Sequence, residues 1–254
     1  MAEIVTVPCR TDNYAFLLHD RETGKTLLVD APETAPIADA LAARGWLLSD
    51  ILVTHHHDDH VAGVEELRAA NGAAVWGASA DAHRLPPLDH ALAEGDTVTV
   101  GSLAGSVIEV PGHTIGHIAF HFPDQRLVFT ADSLMALGCG RLFEGDAAMM
   151  WSSLQKLSAL PHGTLVCSGH EYTEANARFA MTIESDNAAL RARSAVINDT
   201  RNRGEPTVPS KLGEELATNP FLRAHLPEVK AAVGMEEASD VEVFAEIRSR
   251  KDRF

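Results

Sequence analysis

Thr54-His55-His56-His57-Asp58-Asp59-His60 follows directly on the apolar run Ile51–Val53, and this junction constrains the fold more than any other segment. A short, continuous run of branched apolar residues reads as a central strand of an α/β sheet. Ligands of such sheets gather where the strands end on their carboxyl side. His55, His57, Asp59 and His60 form H-x-H-x-D-H, which sets four imidazole or carboxylate donors within six residues. Donors of this kind without thiolate suit zinc, iron or manganese in a catalytic site. Any one of these histidines alone would read as a solvated loop residue, whereas the set, placed after an apolar strand, reads as metal-binding.

Further ligands must come from other strands, because one short loop cannot surround two ions. Pro111-Gly112-His113-Thr114, Ala131-Asp132-Ser133 and Ser168-Gly169-His170-Glu171 each put a ligand-type side chain just past an expected strand. The candidates are then His55, His57, Asp59, His60, His113, Asp132 and His170.

Those strands belong to a first half punctuated like a layered α/β protein. Alternating or apolar runs bounded by Gly, Asp and Asn predict strands near 3–7, 14–19, 26–30, 50–53, 73–76, 97–100, 106–110, 117–122, 126–130 and 164–168. Helical periodicity appears at 34–44, 61–70 and 151–159, so the expected architecture is a sheet with helices outside it. After Glu171 the pattern turns helical. Phe179, Ile183, Leu190 and Ile197 fit one face of a single long helix with Thr173 as N-cap, and Ser239 opens a capping box for a helix over 240–251. The expected division is a metal-binding catalytic domain over 1–172 and a helical substrate-binding domain over 173–254.

The H-x-H-x-D-H loop followed by a lone His, a lone Asp and a lone His resembles the metallo-β-lactamase superfamily, and the likeness covers the whole chain. More narrowly the chain is similar to the glyoxalase II, or hydroxyacylglutathione hydrolase, family. The motifs are Asp12-Asn13-Tyr14, Thr54 to His60, Pro111-Gly112-His113-Thr114-x-Gly116-His117, Gly138-Cys139-Gly140-Arg141, Gly169-His170-Glu171-Tyr172-Thr173, Asn219-Pro220-Phe221-Leu222-Arg223 and Arg248-x-x-Lys251-Asp252.

The resemblance implies an αββα sandwich of α/β (α+β) class with a C-terminal all-helical domain. It implies two divalent ions, zinc in first place with iron or manganese compatible. His55, His57 and His113 would hold one, Asp59, His60 and His170 the other, and Asp132 would bridge. A hydroxide between the ions, with Asp59 orienting it or accepting a proton, would attack a glutathione thioester carbonyl. The substrate would be S-(2-hydroxyacyl)glutathione. Arg141, Phe143, Tyr172, Asn176, Arg248 and Lys251 match the substrate-binding positions, with the cations expected to clamp the glycine carboxylate. Arg141 and Phe143 depart from the Lys and Tyr common in relatives: the charge is kept and a phenolic hydrogen bond is lost. A persulfide dioxygenase reading, with one iron on two histidines and an aspartate, leaves the helical tail unexplained.

Other residues read as structural. His56 and Asp58 occupy the variable places of the motif, His117 and His121 alternate on a strand, Cys139 is a small packed residue, and Trp46, Trp76 and Trp151 suit a core. Lys and Arg total 21 against 36 Asp and Glu, and a net charge of −15 opposes nucleic-acid binding. Three cysteines without C-x-x-C form no disulfide framework. No signal peptide or membrane span is legible, so a cytoplasmic monomer acting on a small molecule is expected.

Overall fold

The structure, a computed structural model, describes residues 2–254. It has two compact units, Met1–Glu109 with Gly116–Ala131, and Val110–Ile115 with Asp132–Phe254.

The first unit runs β1 (Ala2–Cys9), β2 (Asn13–Asp20), β3 (Lys25–Val29), α1 (Ala35–Ala42), β4 (Leu47–Leu52), α2 (Asp58–Val61), α3 (Val64–Asn71), β5 (Ala74–Ala78), β6 (His90–Leu92), β7 (Thr97–Val100), β8 (Leu103–Glu109), β9 (Ile118–Phe122) and β10 (Leu127–Ala131). Strands β1 to β6 form one sheet in sequence order, antiparallel through β1-β2-β3 and parallel through β3-β4-β5-β6. Strands β7 to β10 pair successively as an antiparallel run. Alternation along β2 divides the core. Ala15 and Leu17 join Leu28, Ile37, Leu41, Ile51, Val64 and Leu67 beneath α1 and α3. Phe16 instead meets Phe129 of β10, with ring centroids 5.6 Å apart, so the two sets of strands pack face to face.

The second unit contains β11 (Leu134–Met135), β12 (Gly138–Cys139), α4 (Ala147–Ser158), β13 (Leu165–Ser168), α5 (Thr173–Ile183), α6 (Ala188–Asn202), β14 (Ser210–Lys211), α7 (Leu212–Thr218), α8 (Pro227–Val233) and α9 (Asp240–Arg253). All ten expected strands are present, and α9 opens on the Ser239 capping box with Glu242.

The single long helix is not formed. α5 ends at Ile183, and the Asn187 side chain accepts from the Leu190 amide, 3.1 Å away, to start α6. Ser185-Asp186-Asn187 supplies turn and cap chemistry that outweighs continuous periodicity. Leu190 and Ile197 still share a buried cluster with Ala177 and Ala180, which explains the misleading spacing. Thr173 is the first helical residue rather than the cap, a position held by Tyr172 without a side-chain bond. The helix expected at 61–70 is divided into α2 and α3 at Gly63, where a Cβ would fall 3.0 Å from the Glu33 backbone.

Candidate metal centre

In the first unit the H-x-H-x-D-H loop leaves β4 and turns at once into the short α2, with His57 at its N-cap position. The loop is pinned at both ends by hydrogen bonds. Thr54 accepts the Ile118 amide through its carbonyl, 3.0 Å away, and its own amide and hydroxyl donate to the Asp30 carboxylate at 2.9 and 2.8 Å. The other end is held by Asn13, whose side-chain amide donates to both the carbonyl and the carboxylate of Asp59, each at 3.0 Å.

The ring nitrogens are sorted by these partners. His60 Nδ1 lies 2.8 Å from Asp30 Oδ2, and His55 Nδ1 lies 3.0 Å from Thr54 Oγ1. Engagement of Nδ1 by an oxygen fixes ring orientation and turns Nε2 toward the ligand side, the usual arrangement of metal-binding histidine. His55 Nε2 stands 3.1 Å from His57 Nδ1. Two ligand atoms on one tetrahedral ion, each about 2.05 Å from it, are roughly 3.3 Å apart.

The second unit shows the same spacing. Asp132 Oδ2 is 3.4 Å from His113 Nε2, and Asp132 Oδ1 is 3.3 Å from His170 Nε2. One carboxylate thus turns a separate oxygen to each of two imidazoles. His113 Nδ1 lies 2.8 Å from the Arg141 carbonyl oxygen, so it too is oriented from behind. The loop carrying that carbonyl needs glycine, because a Cβ at Gly140 would fall 1.9 Å from the Asp132 carbonyl oxygen. His113, Asp132 and His170 are all buried. Among the described residues, the groups of histidine and carboxylate able to hold a metal ion draw on the seven sequence candidates and on no other residue. The donor chemistry and the spacing within each unit therefore fit divalent metal.

The residues expected to bind substrate divide into two kinds. Arg141, Phe143 and Tyr172 are exposed: Phe143 sets its ring edge-on to His113 at 5.3 Å, and Tyr172 stacks on His170 at 4.7 Å. Asn176 and Arg248 are buried. Asn176 donates to the Ala136 carbonyl at 3.0 Å, and Arg248 donates to the Cys139 carbonyl and to Asp252, both at 2.9 Å. Lys251 is intermediate; its amine donates to the Ala175 carbonyl at 3.2 Å and lies 5.3 Å from the centre of the Phe179 ring. Burial, with Arg248 and Arg178 nearby, brings its pKa down to about 8, against the opposing pull of Asp252.

Several residues gain a role that the sequence did not reveal. Asp30, which holds the loop, follows β3 at a φ of 57°. Its signal was available, since it is a polar side chain just past an apolar strand, like the ligands themselves. Asp252 sits between Arg248 and Arg141, whose Nε is 3.4 Å from its carboxylate. His56 and Asp58 turn to Asp81 and Arg10 at 3.2 and 2.7 Å, and His117 stacks on His55 at 4.6 Å. Burial pushes the Cys139 thiol up to about 11 despite the adjacent Arg248.

The chain matches the family described as "Metallo-beta-lactamase superfamily" over residues 11–170 and that described as "Hydroxyacylglutathione hydrolase C-terminus" over residues 171–254. It is 68% identical to a hydroxyacylglutathione hydrolase of Cereibacter sphaeroides, over 99% of each chain. It is 54% identical to the one of Methylococcus capsulatus, over 100% of this chain and 99% of that one. Among solved structures, BLEG-1 B3 metallo-β-lactamase superposes with a TM-score of 0.68 at 21% identity, covering 87% of this chain and 99% of that chain. ETHE1 from Myxococcus xanthus gives 0.67 at 25% identity, covering 98% of this chain and 90% of that one. The fold is the metallo-β-lactamase fold, with mixed sheets and a helical C-terminal region.

Proposed function

Because the chain belongs to the hydroxyacylglutathione hydrolase family of the metallo-β-lactamase superfamily, we propose that it is a dinuclear-metal thioesterase. Its substrate is S-(2-hydroxyacyl)glutathione, chiefly S-D-lactoylglutathione, and its products are glutathione and a 2-hydroxy acid, D-lactate for the lactoyl substrate. This is the second step of methylglyoxal detoxification. The observation that carries the reading is Asp132, which offers one carboxylate oxygen to His113 and the other to His170 at ligand-to-ligand spacing. A carboxylate so disposed suits a bridge between two ions.

In this reading His55, His57 and His113 would hold one ion, Asp59, His60 and His170 the second, and Asp132 would serve both. Zinc leads, and iron or manganese suits the same mixed nitrogen and oxygen donors. Divalent metal held by these residues would supply Lewis acidity and a hydroxide nucleophile at neutral pH. The chain's own part is positioning. Asp59, whose carboxylate accepts from the Asn13 side-chain amide, would orient the nucleophile or accept its proton. Little acid assistance is needed at the sulfur, because a thiol with pKa about 8.5 leaves readily as thiolate.

Arg248 and Lys251, with Arg141, Tyr172 and Asn176, would clamp the glycine carboxylate, and Phe143 would line the same substrate site. The apolar Phe143 ring offers contact without a hydrogen bond. The segment 1–172 would carry the metal chemistry together with Arg141, Phe143 and Tyr172, and 173–254 the remaining substrate contacts. No helix among the described residues is long and apolar enough to cross a membrane, and the proposed setting is a cytoplasmic monomer. Loss of thioester absorbance at 240 nm with S-D-lactoylglutathione tests the reading: turnover is expected with loaded protein, and oxygen uptake with glutathione persulfide but no thioester loss would replace it with the dioxygenase.

A further inference from the structure

His56, the residue between the first two ligand candidates, is held on both ring nitrogens. Asp81 Oδ2 lies 3.2 Å from His56 Nδ1, and Arg84 Nη1 lies 3.3 Å from His56 Nε2. A guanidinium can only donate, so Nε2 accepts and Nδ1 carries the hydrogen given to the carboxylate. Asp81 divides its oxygens between the two partners: Oδ2 takes His56, and Oδ1 takes Arg84 Nε and Nη2 at 3.1 and 2.6 Å. A short turn after β5 sets this pair, since the Arg84 amide donates to the Asp81 carbonyl at 2.8 Å and so brings the arginine side chain back to the carboxylate. All of these residues belong to the first unit.

We propose that Asp81 and Arg84 are positioning residues for His55 and His57, acting through His56. The inference rests on the proposed metal site. The His56 ring meets the His57 ring edge-on, with centroids 4.9 Å apart, so fixing one ring confines the other. Asp81 also backs the other ligand of the pair. It is 2% exposed and lies so close to Gly116 that a Cβ there would fall 2.2 Å from its Cγ. Gly116 leads into His117, whose ring stacks on His55 at 4.6 Å with 14° between the planes. One buried carboxylate thus supports both flanks of the ligand pair. Arg84 already balances its charge through one oxygen, and the second oxygen is turned to the ligand loop. The orientation matters because His55 Nε2 and His57 Nδ1 stand 3.1 Å apart, and rotation of either ring would disturb that ligand-to-ligand spacing. Outer partners of this kind fix ring orientation before the ion arrives.

The test pairs zinc affinity, measured by chelator competition on the full chain, with nitrogen-15 NMR of the histidine rings in metal-free protein. For Asp81→Ala the proposal expects the ion assigned to His55, His57 and His113 to bind about tenfold more weakly, and the ion assigned to Asp59, His60 and His170 to change less than twofold. His56→Leu should give the same loss, and the double variant no more than either alone, because both changes cut one connection. Asp89→Asn, which disturbs the Arg68 pair and the Val75 amide of β5 instead, should leave both affinities unchanged. The NMR should show His56 as a single Nδ1–H tautomer in the wild type and as a mixture in Asp81→Ala, with the His57 ring resonances displaced. Should Asp81→Ala fail to fold, Arg84→Lys keeps the carboxylate paired and leaves His56 Nε2 without its donor, so a smaller loss confined to the same ion is expected. Additive losses in the double variant, equal weakening of both ions, or unchanged His56 and His57 rings overturn the proposal. Failure of wild-type protein to bind zinc defeats the functional reading instead, and the NMR comparison, made without metal, still decides the positioning role.

Discussion

His60 Nδ1 lies 2.8 Å from the Asp30 carboxylate, which also takes the amide and hydroxyl of Thr54. This single aspartate therefore sets both the path of the ligand loop and the ring orientation of a ligand. Removing such a partner of a metal-binding histidine costs about 10- to 100-fold in affinity. Asp30→Ala is expected to weaken metal retention by that order, read by competition with a chelator, while Asp58→Ala, whose carboxylate faces Arg10, leaves it within twofold.

The Lys251 amine titrates at about 8, lowered chiefly by burial and then by Arg248 and Arg178. It is charged below that pH and neutral above it. If it helps to receive the glycine carboxylate, KM for S-D-lactoylglutathione rises as pH passes through about 8, and Lys251→Met has a high KM without that rise. The linkage sign is opposite to that of a stabilising ion pair. The native pKa is below the ordinary 10.5, so between about 8 and 10.5 the unfolded chain binds more protons and this group's contribution to stability increases with pH.

Glu215 is fully buried and accepts from Arg193, from the Leu137 amide at 2.8 Å and from Asn219 at 3.2 Å. Taking away one partner of a buried ion pair leaves the other charge uncompensated, at a cost of about 3–5 kcal/mol. Glu215→Ala should lower the urea midpoint accordingly, and because the same side chain holds the β11-β12 hairpin, activity should fall even in the fraction that remains folded.

Cys139 has its thiol pushed up to about 11 by burial, so little thiolate exists at neutral pH. Alkylation of native protein at pH 7 should proceed slowly and leave hydrolysis intact, and Cys139→Ser should keep most of kcat because the backbone carbonyl, not the sulfur, makes the short contact to Arg248. Rapid inactivation by iodoacetamide would contradict this.

Much of the architecture was legible because apolar strands and polar punctuation are local signals. The ligand-type residues sit on segments that leave the ends of strands, the first of them running from β4 through His55 and His57 into α2, which carries Asp59 and His60, and the last reaching His170 after β13, and that placement is visible in the sequence. The α5-α6 turn was not legible, because Leu190 and Ile197 keep a helical spacing from Phe179 and Ile183 while packing across a hairpin that Asn187 caps. The short elements β11, β12 and β14 have too few residues for periodicity to register. Arg248 and Lys251 share a helix face by spacing, yet burial separates them: Arg248 faces inward to a peptide carbonyl, and Lys251 lies between aromatic rings. Burial of a long cation depends on the tertiary neighbours it covers, and no window of sequence reports those.

The most direct test of the central claim is metal content and S-D-lactoylglutathione hydrolysis measured on the same purified sample before and after chelation. About two divalent ions per chain, with turnover that disappears on their removal and returns on their restoration, is the predicted result. Turnover that persists in metal-free protein, or no turnover with two ions bound, would contradict it.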